Sequence, residues 1–410
     1  MRNALPEDPM IRRLVEQVRS SQVSRRGVLA GAGCAAAALA LAACSTGTPA
    51  GTAKKSIPAA TDVSATDKTL KWANWSYYLD VDDAGKYPTL EAFEKQSGIT
   101  VTYGDGTVDD NNTYYAKVKD QLALGQDIGA DTVCLTDWMV SRLINLGYVQ
   151  KLDQSKIPNL ANLTPSLAKP DFDSGRHYSL PWQSGFAGLC WNKDKVPGGL
   201  KQVSDLWKSE FKGRVGVLSE MRDTIGLIML SQGVDISSKD WGNTEFSNAI
   251  DEFKKQVTDG QIRNIKGNSY ADDLKNEDTL VAIVWSGDVT SINAEVGSDK
   301  FGFAIPDSGG TLWSDNFLVP IGSAHKANAE ELMNYYYEPE VAAEVAAYVN
   351  YITPVVGAKE AMAKIDKTLV DNQLIFPDQS TLDQVKIFRT LTNPEQTTYT
   401  AQFEAVGLGS

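Results

Sequence analysis

Tryptophans and carboxylates recur close together in this 410-residue chain, and the two side-chain types can jointly hold a cation. Five of the nine tryptophans fall at or just after predicted strand ends: Trp75, Trp138, Trp182, Trp285 and Trp313. An indole face attracts an ammonium group by ~0.5–2 kcal/mol, and a carboxylate fixes that group through charge-assisted hydrogen bonds. Asp288 and Asp315 follow two of these tryptophans closely, and Glu220 and Asp223 form a further acidic pair. This combination suits a flexible aliphatic chain with a positive charge at each end.

Each of these residues also has a purely structural interpretation. A tryptophan at a strand end commonly packs in a core, and an aspartate in a turn commonly caps the helix that follows. Asp223 and Asp288 both stand where a helix is predicted to begin. The binding interpretation therefore rests on the joint recurrence of the two side-chain types.

The residue types that most catalysis and metal binding require are scarce. Neither His177 nor His325 has a neighbour at metal-ligand spacing. The DSGG motif from Asp307 matches the short nucleophile motif of trypsin-like proteases, but a tight turn explains it, and the nucleophile-elbow, zinc-protease and phosphate-loop motifs are missing from the sequence. With 52 acidic against 39 basic residues, the chain should repel nucleic acid. We expect a protein that binds a small cation without catalysis, metal or cofactor.

Hydrophobic patterning predicts an α/β fold. Strand-like runs alternate with helices from residue 70 onwards, the helices end at glycines, and a second unit of the same kind starts near Gly213. Such alternation implies a mostly parallel sheet. Two units without a linker predict two lobes with a ligand cleft, lined by the loops that follow the strands. The loops concerned are those around Trp75, Thr136, Glu220, Trp285 and Trp313.

The N-terminus is predicted to direct export and to carry a lipid. Arg25 and Arg26 precede an uncharged run of 17 residues from 27 to 43, which is too short for a comfortable membrane span and typical of a twin-arginine signal. The run ends in Leu-Ala-Ala before Cys44, as in a bacterial lipoprotein box. We predict a signal peptide over 1–43, lipidation of Cys44 and a flexible tether over 44–67. The alternatives are an uncleaved anchor and a chance cysteine at position 44, and we expect the body outside the cytoplasm in either case.

Two further cysteines, Cys134 and Cys190, both lie in apolar strand-like runs. Two buried thiols explain them, and an oxidising compartment would also permit a disulfide. Their spacing does not decide between the two.

The body resembles the polyamine (spermidine/putrescine) substrate-binding proteins of ABC importers from about Leu70 to the C-terminus. The order and spacing of short segments carry the resemblance: NWSYYL (74–79), TYYAKVK (113–119), LTDW (135–138), YVQKLD (148–153), YSLPW (178–182), DLWKSEFKGRVGVL (205–218), VWSGD (284–288), LWSDNFLVP (312–320) and YITP (351–354).

The resemblance implies a two-lobed periplasmic-binding-protein fold of type II, with a mostly parallel sheet in each lobe. Lobe 1 would hold residues 68–192 plus 314–358, and lobe 2 would hold 193–313 plus 359–410. Binding would close the lobes, and an ABC permease with its ATPase would read the closed form. We therefore expect an extracytoplasmic, lipid-anchored, monomeric protein that delivers a polyamine such as putrescine or spermidine to the permease.

The family's binding positions fall on residues that the strand-end argument had already selected, with Tyr351 and the hydroxyl groups added. The carboxylates would hold ammonium groups and the aromatic rings would form walls. The implied ligand-binding residues are Trp75, Ser76, Tyr78, Thr136, Trp138, Glu220, Asp223, Trp285, Asp288, Trp313, Asp315 and Tyr351.

Two departures from the family pattern bear on the ligand. Tyr77 stands where spermidine-type members carry an acid, and a family glutamine falls around Arg389, whose charge would oppose a third ammonium. Both favour a shorter diamine or a different cationic ligand. The alternatives are a binding protein for another small solute, such as a sugar, thiamine or chelated iron, and an exported enzyme on the same fold.

Overall fold

A computed structural model describes residues 57–407 of the chain. The predicted signal peptide, the lipidation residue Cys44 and residues 45–56 of the predicted tether lie outside the described residues. Within 57–407, the helices all fall short of the length and hydrophobicity that a membrane span requires.

The described residues form ten strands that belong to a single sheet. The strands are β1 (Thr69–Trp75), β2 (Thr100–Val108), β3 (Thr132–Thr136), β4 (Ser179–Asn192), β5 (Val215–Leu218), β6 (Ile262–Lys266), β7 (Val281–Trp285), β8 (Phe301–Ala304), β9 (Gly310–Leu318) and β10 (Val385–Lys386).

Helices flank this sheet, and short 3₁₀ turns join several of the elements. The α-helices of the described part are α1 (Pro88–Ser97), α2 (Asn111–Ala123), α3 (Asp137–Leu146), α4 (Met221–Ser231), α5 (Asn243–Thr258), α6 (Tyr270–Lys275), α7 (Ser286–Glu295), α8 (Lys326–Tyr336), α9 (Pro339–Val349), α10 (Ala358–Ile365), α11 (Gln379–Leu382) and α12 (Asn393–Gly407). The 3₁₀ turns are Gln154–Lys156, Pro158–Asn162, Pro165–Leu167, Val203–Trp207, Ser209–Phe211 and Lys367–Leu369.

The first helices begin and end where the sequence predicts. A proline opens α1, and Gly98 closes it in the left-handed conformation with φ of 72°. Gly147 closes α3 in the same way with φ of 74°. Glycine has no Cβ to clash in this conformation, so its N–H can donate to one of the last helical carbonyls at little cost. These stops bring the chain back to the sheet after each helix.

The sheet combines two parallel blocks through antiparallel strands at its centre. Its order is β2-β1-β3-β9-β4-β7-β5-β6, with β10 beside β9 and β8 beside β4. Pairing is parallel among β1, β2 and β3 and among β5, β6 and β7. Strands β9 and β4 pair antiparallel to each other, β9 to β3, and β4 to β7 and β8, whereas β10 pairs parallel with β9. The predicted lobe boundaries fall at the end of β4 and inside β9, and they remain a prediction.

Trp182 corrects one sequence-based expectation, because it lies inside β4 rather than at a strand end. Its ring is 3% exposed and packs 5.4 Å from Trp72 and 4.8 Å from Phe317, measured between ring centroids. Aromatic pairs at this distance add about 0.5–1.5 kcal/mol to the stabilisation that burial gives. Trp182 is therefore a core residue, as the structural interpretation of strand-end tryptophans allowed.

Residues 57–67, the last part of the predicted tether, are hydrogen-bonded to the rest of the fold. Backbone N–H groups of Ala60 and Val63 donate to the carbonyls of Ile321 and Ala324, and the buried Ser64 hydroxyl accepts from the N–H of Asn328 at 3.2 Å. Residues 57–67 therefore form part of the structured body.

Cys134 and Cys190 are both free and buried. Cys134 lies opposite Phe317, which lies opposite Leu180 on β4. Cys190 lies ten residues further along the same strand, a separation of ~30 Å at about 3.3 Å per residue. A disulfide needs Cα atoms within about 7 Å, so the two thiols cannot pair in this fold.

We expect both thiols to be unmodified and irrelevant to stability in an oxidising buffer. Burial raises the pKa of each thiol and so suppresses the reactive thiolate. Alkylation of the unfolded protein, followed by peptide mass spectrometry, should label Cys134 and Cys190 fully without a reducing agent, and dithiothreitol should leave Tm unchanged. A peptide pair linked through these two residues would contradict the register of the sheet.

Candidate functional site

A narrow cavity lies against the ends of several strands. It holds about 360 Å³ of empty space between its lining atoms. The structure brings eleven of the twelve sequence-predicted residues to this cavity and adds Asn268. The lining residues are Trp75, Ser76, Tyr78, Thr136, Glu220, Asp223, Asn268, Trp285, Asp288, Trp313, Asp315 and Tyr351.

Strand ends position most of these side chains, as open α/β sheets generally require. Trp75, Thr136 and Trp285 are the last residues of β1, β3 and β7, and Glu220 follows β5 closely. Trp313 and Asp315 differ from the expectation because they lie inside β9. The antiparallel pairing of β9 with β3 sets Asp315 directly opposite Thr136 and thus brings it to the same edge.

Asp288 is held by three donors and does not cap its helix. Its Oδ1 accepts from the Tyr351 hydroxyl at 2.7 Å, and its Oδ2 accepts from the Tyr270 hydroxyl at 2.7 Å and from Asn268 Nδ2 at 2.9 Å. No side-chain cap bond closes the start of α7. Burial raises the pKa of Asp288 to about 6 even against these three bonds. A buried, oriented carboxylate therefore faces the cavity.

Asp223 is also fully bonded, and the capping interpretation fails for it as well. Trp285 Nε1 donates to its Oδ2 at 2.9 Å and the Thr311 hydroxyl donates to its Oδ1 at 2.5 Å, while α4 begins without a side-chain cap. Burial raises the pKa of Asp223 despite those donors. The bond to Trp285 fixes the plane of an indole ring that lines the cavity.

Asp315 is buried with one oxygen free. Its Oδ2 accepts from the Tyr78 hydroxyl at 2.7 Å, and its Oδ1 has no hydrogen-bond partner of acceptable geometry within residues 57–407. Burial raises the pKa of Asp315 to about 7, although the nearby hydroxyls of Thr136 and Tyr78 oppose the rise. An unpaired buried acceptor costs about 1–3 kcal/mol or more when charged, so this oxygen is suited to a donor from a ligand.

Glu220 has the same half-satisfied arrangement. Asn111 Nδ2 donates to its Oε2 at 3.0 Å, whereas Oε1 is buried without a partner in the described part of the chain. Burial raises the pKa of Glu220 to about 8; Arg222 opposes this rise and Asp223 adds to it. Asn111 also donates to the Thr136 hydroxyl at 2.8 Å, so one amide orients two groups of the cavity.

Aromatic rings form the walls between these carboxylates. Trp75 and Trp285 meet edge to face with centroids 5.8 Å apart. Tyr351 meets Tyr78 at 5.5 Å and Trp313 at 5.1 Å in the same manner. Such walls cover methylene groups and present electron-rich faces to cations.

Trp138 departs from the prediction, because it does not line this cavity. It lines a larger adjoining cavity that shares Thr136, Glu220, Asp223 and Trp313 with the first. The guanidinium carbon of Arg222 lies 4.1 Å from the centroid of the Trp138 ring. A cationic side chain of the protein itself therefore covers one face of the Trp138 ring.

Sequence reasoning missed Asn268, which lines the cavity and orients Asp288. Asn268 follows β6 closely, so the strand-end rule would have selected it had IRNIK been recognised as a strand. Its Oδ1 is a third buried acceptor without a partner among residues 57–407. Tyr270, Asn111 and Thr311 support the carboxylates from behind, and isolated polar residues of this kind leave no recognisable sequence pattern.

Comparisons with known proteins agree with this architecture. Residues 89–376 match the family model described as bacterial extracellular solute-binding protein. The chain is 27% identical over 317 residues to the spermidine/putrescine-binding periplasmic protein of Escherichia coli K12, which covers 77% of this chain and 85% of that protein. It is 28% identical over 338 residues to the putrescine-binding periplasmic protein PotF of the same organism, with coverage of 77% and 85%.

Solved structures share the fold. The spermidine/putrescine ABC transporter substrate-binding protein PotD from Streptococcus pneumoniae superposes with a TM-score of 0.65 at 24% identity, covering 83% of this chain and 98% of that chain. The TpPotD lipoprotein of Treponema pallidum superposes with a TM-score of 0.67 at 23% identity, covering 83% and 99%. The predicted two-lobed α/β fold of type II is thus confirmed.

Proposed function

The chain belongs to the family of bacterial extracellular solute-binding proteins, and from this premise we propose that it captures a polyamine, such as putrescine or spermidine, for an ABC importer. The observation that carries the proposal is a pair of buried carboxylate oxygens, on Asp315 and Glu220, that have no partner among residues 57–407 and lie in a cavity walled by aromatic rings. Ammonium groups supply the missing donors and the missing charge. The names of the two Escherichia coli relatives point to the same ligand class.

The lining of the cavity favours a linear cationic ligand. Aromatic rings and carboxyl groups alternate around about 360 Å³ of empty space, part of which is open to solvent. A methylene chain can lie against such rings while its charged ends meet carboxylates. Under this proposal Asp315 and Glu220 supply the free oxygens for the charged ends, and Asp288 and Asp223 add negative charge beside them. The rings of Trp75, Trp285, Trp313, Tyr78 and Tyr351 cover the methylenes, with Ser76 and Thr136 as polar neighbours.

Burial of carboxylates explains how ligand would drive closure. Four acidic side chains line the cavity, and burial raises the pKa of each. Burying them without a cation is costly, so the empty protein favours an open, hydrated cleft. A bound cation compensates the charges and shifts the population towards the closed form. The protein performs no catalysis of its own, and the permease with its ATPase receives the ligand from the closed form.

We further propose that the mature protein is a lipid-anchored monomer outside the cytoplasm, exported by the twin-arginine route and modified at Cys44. The paired arginines and the Leu-Ala-Ala-Cys run support this proposal. Fatty-acid labelling in cells should mark the wild-type protein and not a Cys44→Ala variant. Equal labelling of the two proteins would exclude this cysteine as the anchor.

Isothermal calorimetry with matched amines tests the proposed function. Putrescine and butylamine have the same four-carbon chain but carry two and one ammonium groups. Putrescine should bind and raise Tm by mass action, and butylamine should bind at least about tenfold more weakly, because one carboxylate end stays uncompensated. Equal affinity for the two amines, or binding of neither, would contradict a polyamine site.

Diamine affinity should increase with pH between about 6 and 8. Burial raises the pKa of Asp288 to about 6, of Asp315 to about 7 and of Glu220 to about 8, so these groups bind protons more tightly in the closed cavity than in the open, hydrated cleft. Acid therefore shifts the empty protein from the open form towards a protonated closed form, which competes with ligand binding. A cation stabilises the ionised carboxylates, and amines with pKa values near ~10 stay charged throughout, so binding at the acid end of this range releases protons. Calorimetry in buffers of different ionisation enthalpy measures that release, and zero release at about pH 6 would contradict the argument.

A further inference from the structure

Asn111 does not line the cavity, but it is hydrogen-bonded to one of the carboxyl groups that do. It is the first residue of α2, and the Asp110 side chain caps this helix by accepting from the N–H of Thr113 at 2.8 Å. The start of the helix therefore does not depend on the Asn111 side chain. This side chain is fully buried, and its Nδ2 lies 2.8 Å from the Thr136 hydroxyl and 3.0 Å from Glu220 Oε2.

The bonds to Thr136 fix the orientation of the Asn111 amide. Asn111 Oδ1 accepts from the backbone N–H of Thr136 at 3.1 Å, so Nδ2 must be the atom that faces Glu220. Glu220 Oε2 can meet this N–H only as an acceptor. With Oε2 held in this way, Oε1 is the carboxyl oxygen left for a ligand, and it is buried without a partner among residues 57–407.

The bond to Glu220 crosses the predicted boundary between the lobes, whereas the two bonds to Thr136 do not. Asn111 and Thr136 belong to predicted lobe 1, and Glu220 belongs to predicted lobe 2. Opening of the cleft would therefore leave Asn111 attached to Thr136 and remove its bond to Glu220. Only the closed form brings this donor and this acceptor together.

We propose that Asn111 is a positioning residue that couples ligand capture to closure through Glu220. By donating across the closed cleft, Asn111 directs the free Glu220 oxygen to a ligand ammonium and stabilises the closed form at the same time. The inference rests on the proposed function and on the predicted lobes. It requires a donor at position 111 and an acceptor at position 220, so exchanging the two roles tests it.

Asn111→Asp should weaken putrescine binding about tenfold or more at pH 8, because a second carboxylate then faces Glu220 in the closed form. The new oxygens can still accept from the backbone N–H and the hydroxyl of Thr136, so the contacts within lobe 1 are retained. The loss should shrink at pH 6, because two facing carboxyl groups can share a proton and then carry one negative charge, as Glu220 alone does.

Isothermal calorimetry at the two pH values measures this loss. Wild-type affinity in Asn111→Asp at pH 8, or a loss that is equal at pH 6 and pH 8, would overturn the proposal. A large fall in ligand-free Tm would show that Asn111 serves the stability of lobe 1 instead, and would overturn it as well.

A double-mutant cycle shows whether Asn111 acts through Glu220. In the Glu220→Gln background, Asn111→Asp restores the hydrogen bond with donor and acceptor exchanged, because the glutamine amide can donate to the new carboxylate. Asn111→Asp should therefore lower putrescine affinity in the wild type and leave it unchanged or raised in Glu220→Gln. An equal loss in the two backgrounds would overturn the proposal.

Asn112→Asp is the matched control. It adds the same charge one residue further along α2, where successive side chains point about 100° apart, and Asn112 lines a different cavity. Its putrescine affinity should be near that of the wild type at both pH values. Equal losses in Asn111→Asp and Asn112→Asp would assign the effect to net charge and overturn the proposal.

Failure of the proposed function and failure of this inference give different results. Wild-type protein that binds no polyamine contradicts both. Wild-type protein that binds putrescine, together with an Asn111→Asp variant that binds it equally well, retains the polyamine site and removes only the role of Asn111.

Discussion

Asp315→Asn should reduce the affinity for putrescine by about 100-fold, because truncating one partner of a buried charge pair typically costs about 2–5 kcal/mol and each ~1.4 kcal/mol is tenfold in affinity. Asparagine keeps the shape of the side chain, and its carbonyl oxygen can still accept the bond that Tyr78 donates to Oδ2. The amide nitrogen then takes the place of Oδ1, the oxygen without a partner among residues 57–407, so both the charge and the acceptor for a ligand ammonium are lost. Isothermal calorimetry measures the change.

Without ligand, the Asp315→Asn variant should be as stable as the wild type or more stable. Burial raises the pKa of Asp315 to about 7, so the empty protein gains nothing from ionising this carboxyl group near neutral pH. Asp299→Asn is the matched control, since that side chain is 83% exposed and pairs with Lys193 at the surface. Unchanged putrescine affinity in Asp315→Asn would remove the residue from the site. A large loss of ligand-free Tm would instead indicate a structural role.

Gly267→Ala should weaken putrescine binding by about tenfold or more by preventing closure. A Cβ at this position would lie 2.1 Å from the backbone oxygen of Asp109 and 2.8 Å from its Cγ. Asp109 follows β2 in predicted lobe 1, and Gly267 follows β6 in predicted lobe 2. The backbone at Asp109 cannot move away locally, so the clash is relieved most easily when the segments around Asp109 and Gly267 separate. The closed population then falls, and the apparent affinity falls with it.

The open form of this variant should be as stable as that of the wild type, with ligand-free Tm unchanged. Gly198→Ala is the control, because a Cβ there meets nothing within 4 Å and the residue does not require a left-handed backbone. Small-angle scattering with saturating putrescine should show compaction in the wild type and in Gly198→Ala but less in Gly267→Ala. Full compaction and wild-type affinity in Gly267→Ala would show that the segments do not approach on binding.

The order of the elements could be predicted from the sequence because each signal is local. Apolar periodicity and helix-ending glycines such as Gly98 and Gly147 are written in adjacent residues. The antiparallel centre of the sheet could not be predicted in this way. The direction in which β9 pairs with β3 and β4 depends on contacts between residues far apart in sequence, such as Thr136 with Asp315.

In the candidate site too, some features follow from local sequence signals and others depend on contacts between residues far apart in sequence. Strand ends predicted the positions of Trp75, Thr136 and Trp285, because parallel strands present their carboxyl ends at one edge. The hydrogen-bond partners of the carboxylates could not be predicted, since Tyr270 and Asn268 carry no pattern that distinguishes them from other polar residues. The prediction that Trp138 lines the ligand cavity was wrong for a related reason. Its ring is covered by Arg222, and only tertiary packing shows which cation an indole meets.

The separation of the two buried cysteines bears on when the protein can fold. A fold that depends on a disulfide is completed only after the chain has reached an oxidising compartment. This body instead folds with Cys134 and Cys190 as free thiols, because the register of the sheet separates them by ten residues along β4. Folding of this body therefore needs no oxidising compartment, which is compatible with the proposed twin-arginine export of an already folded protein.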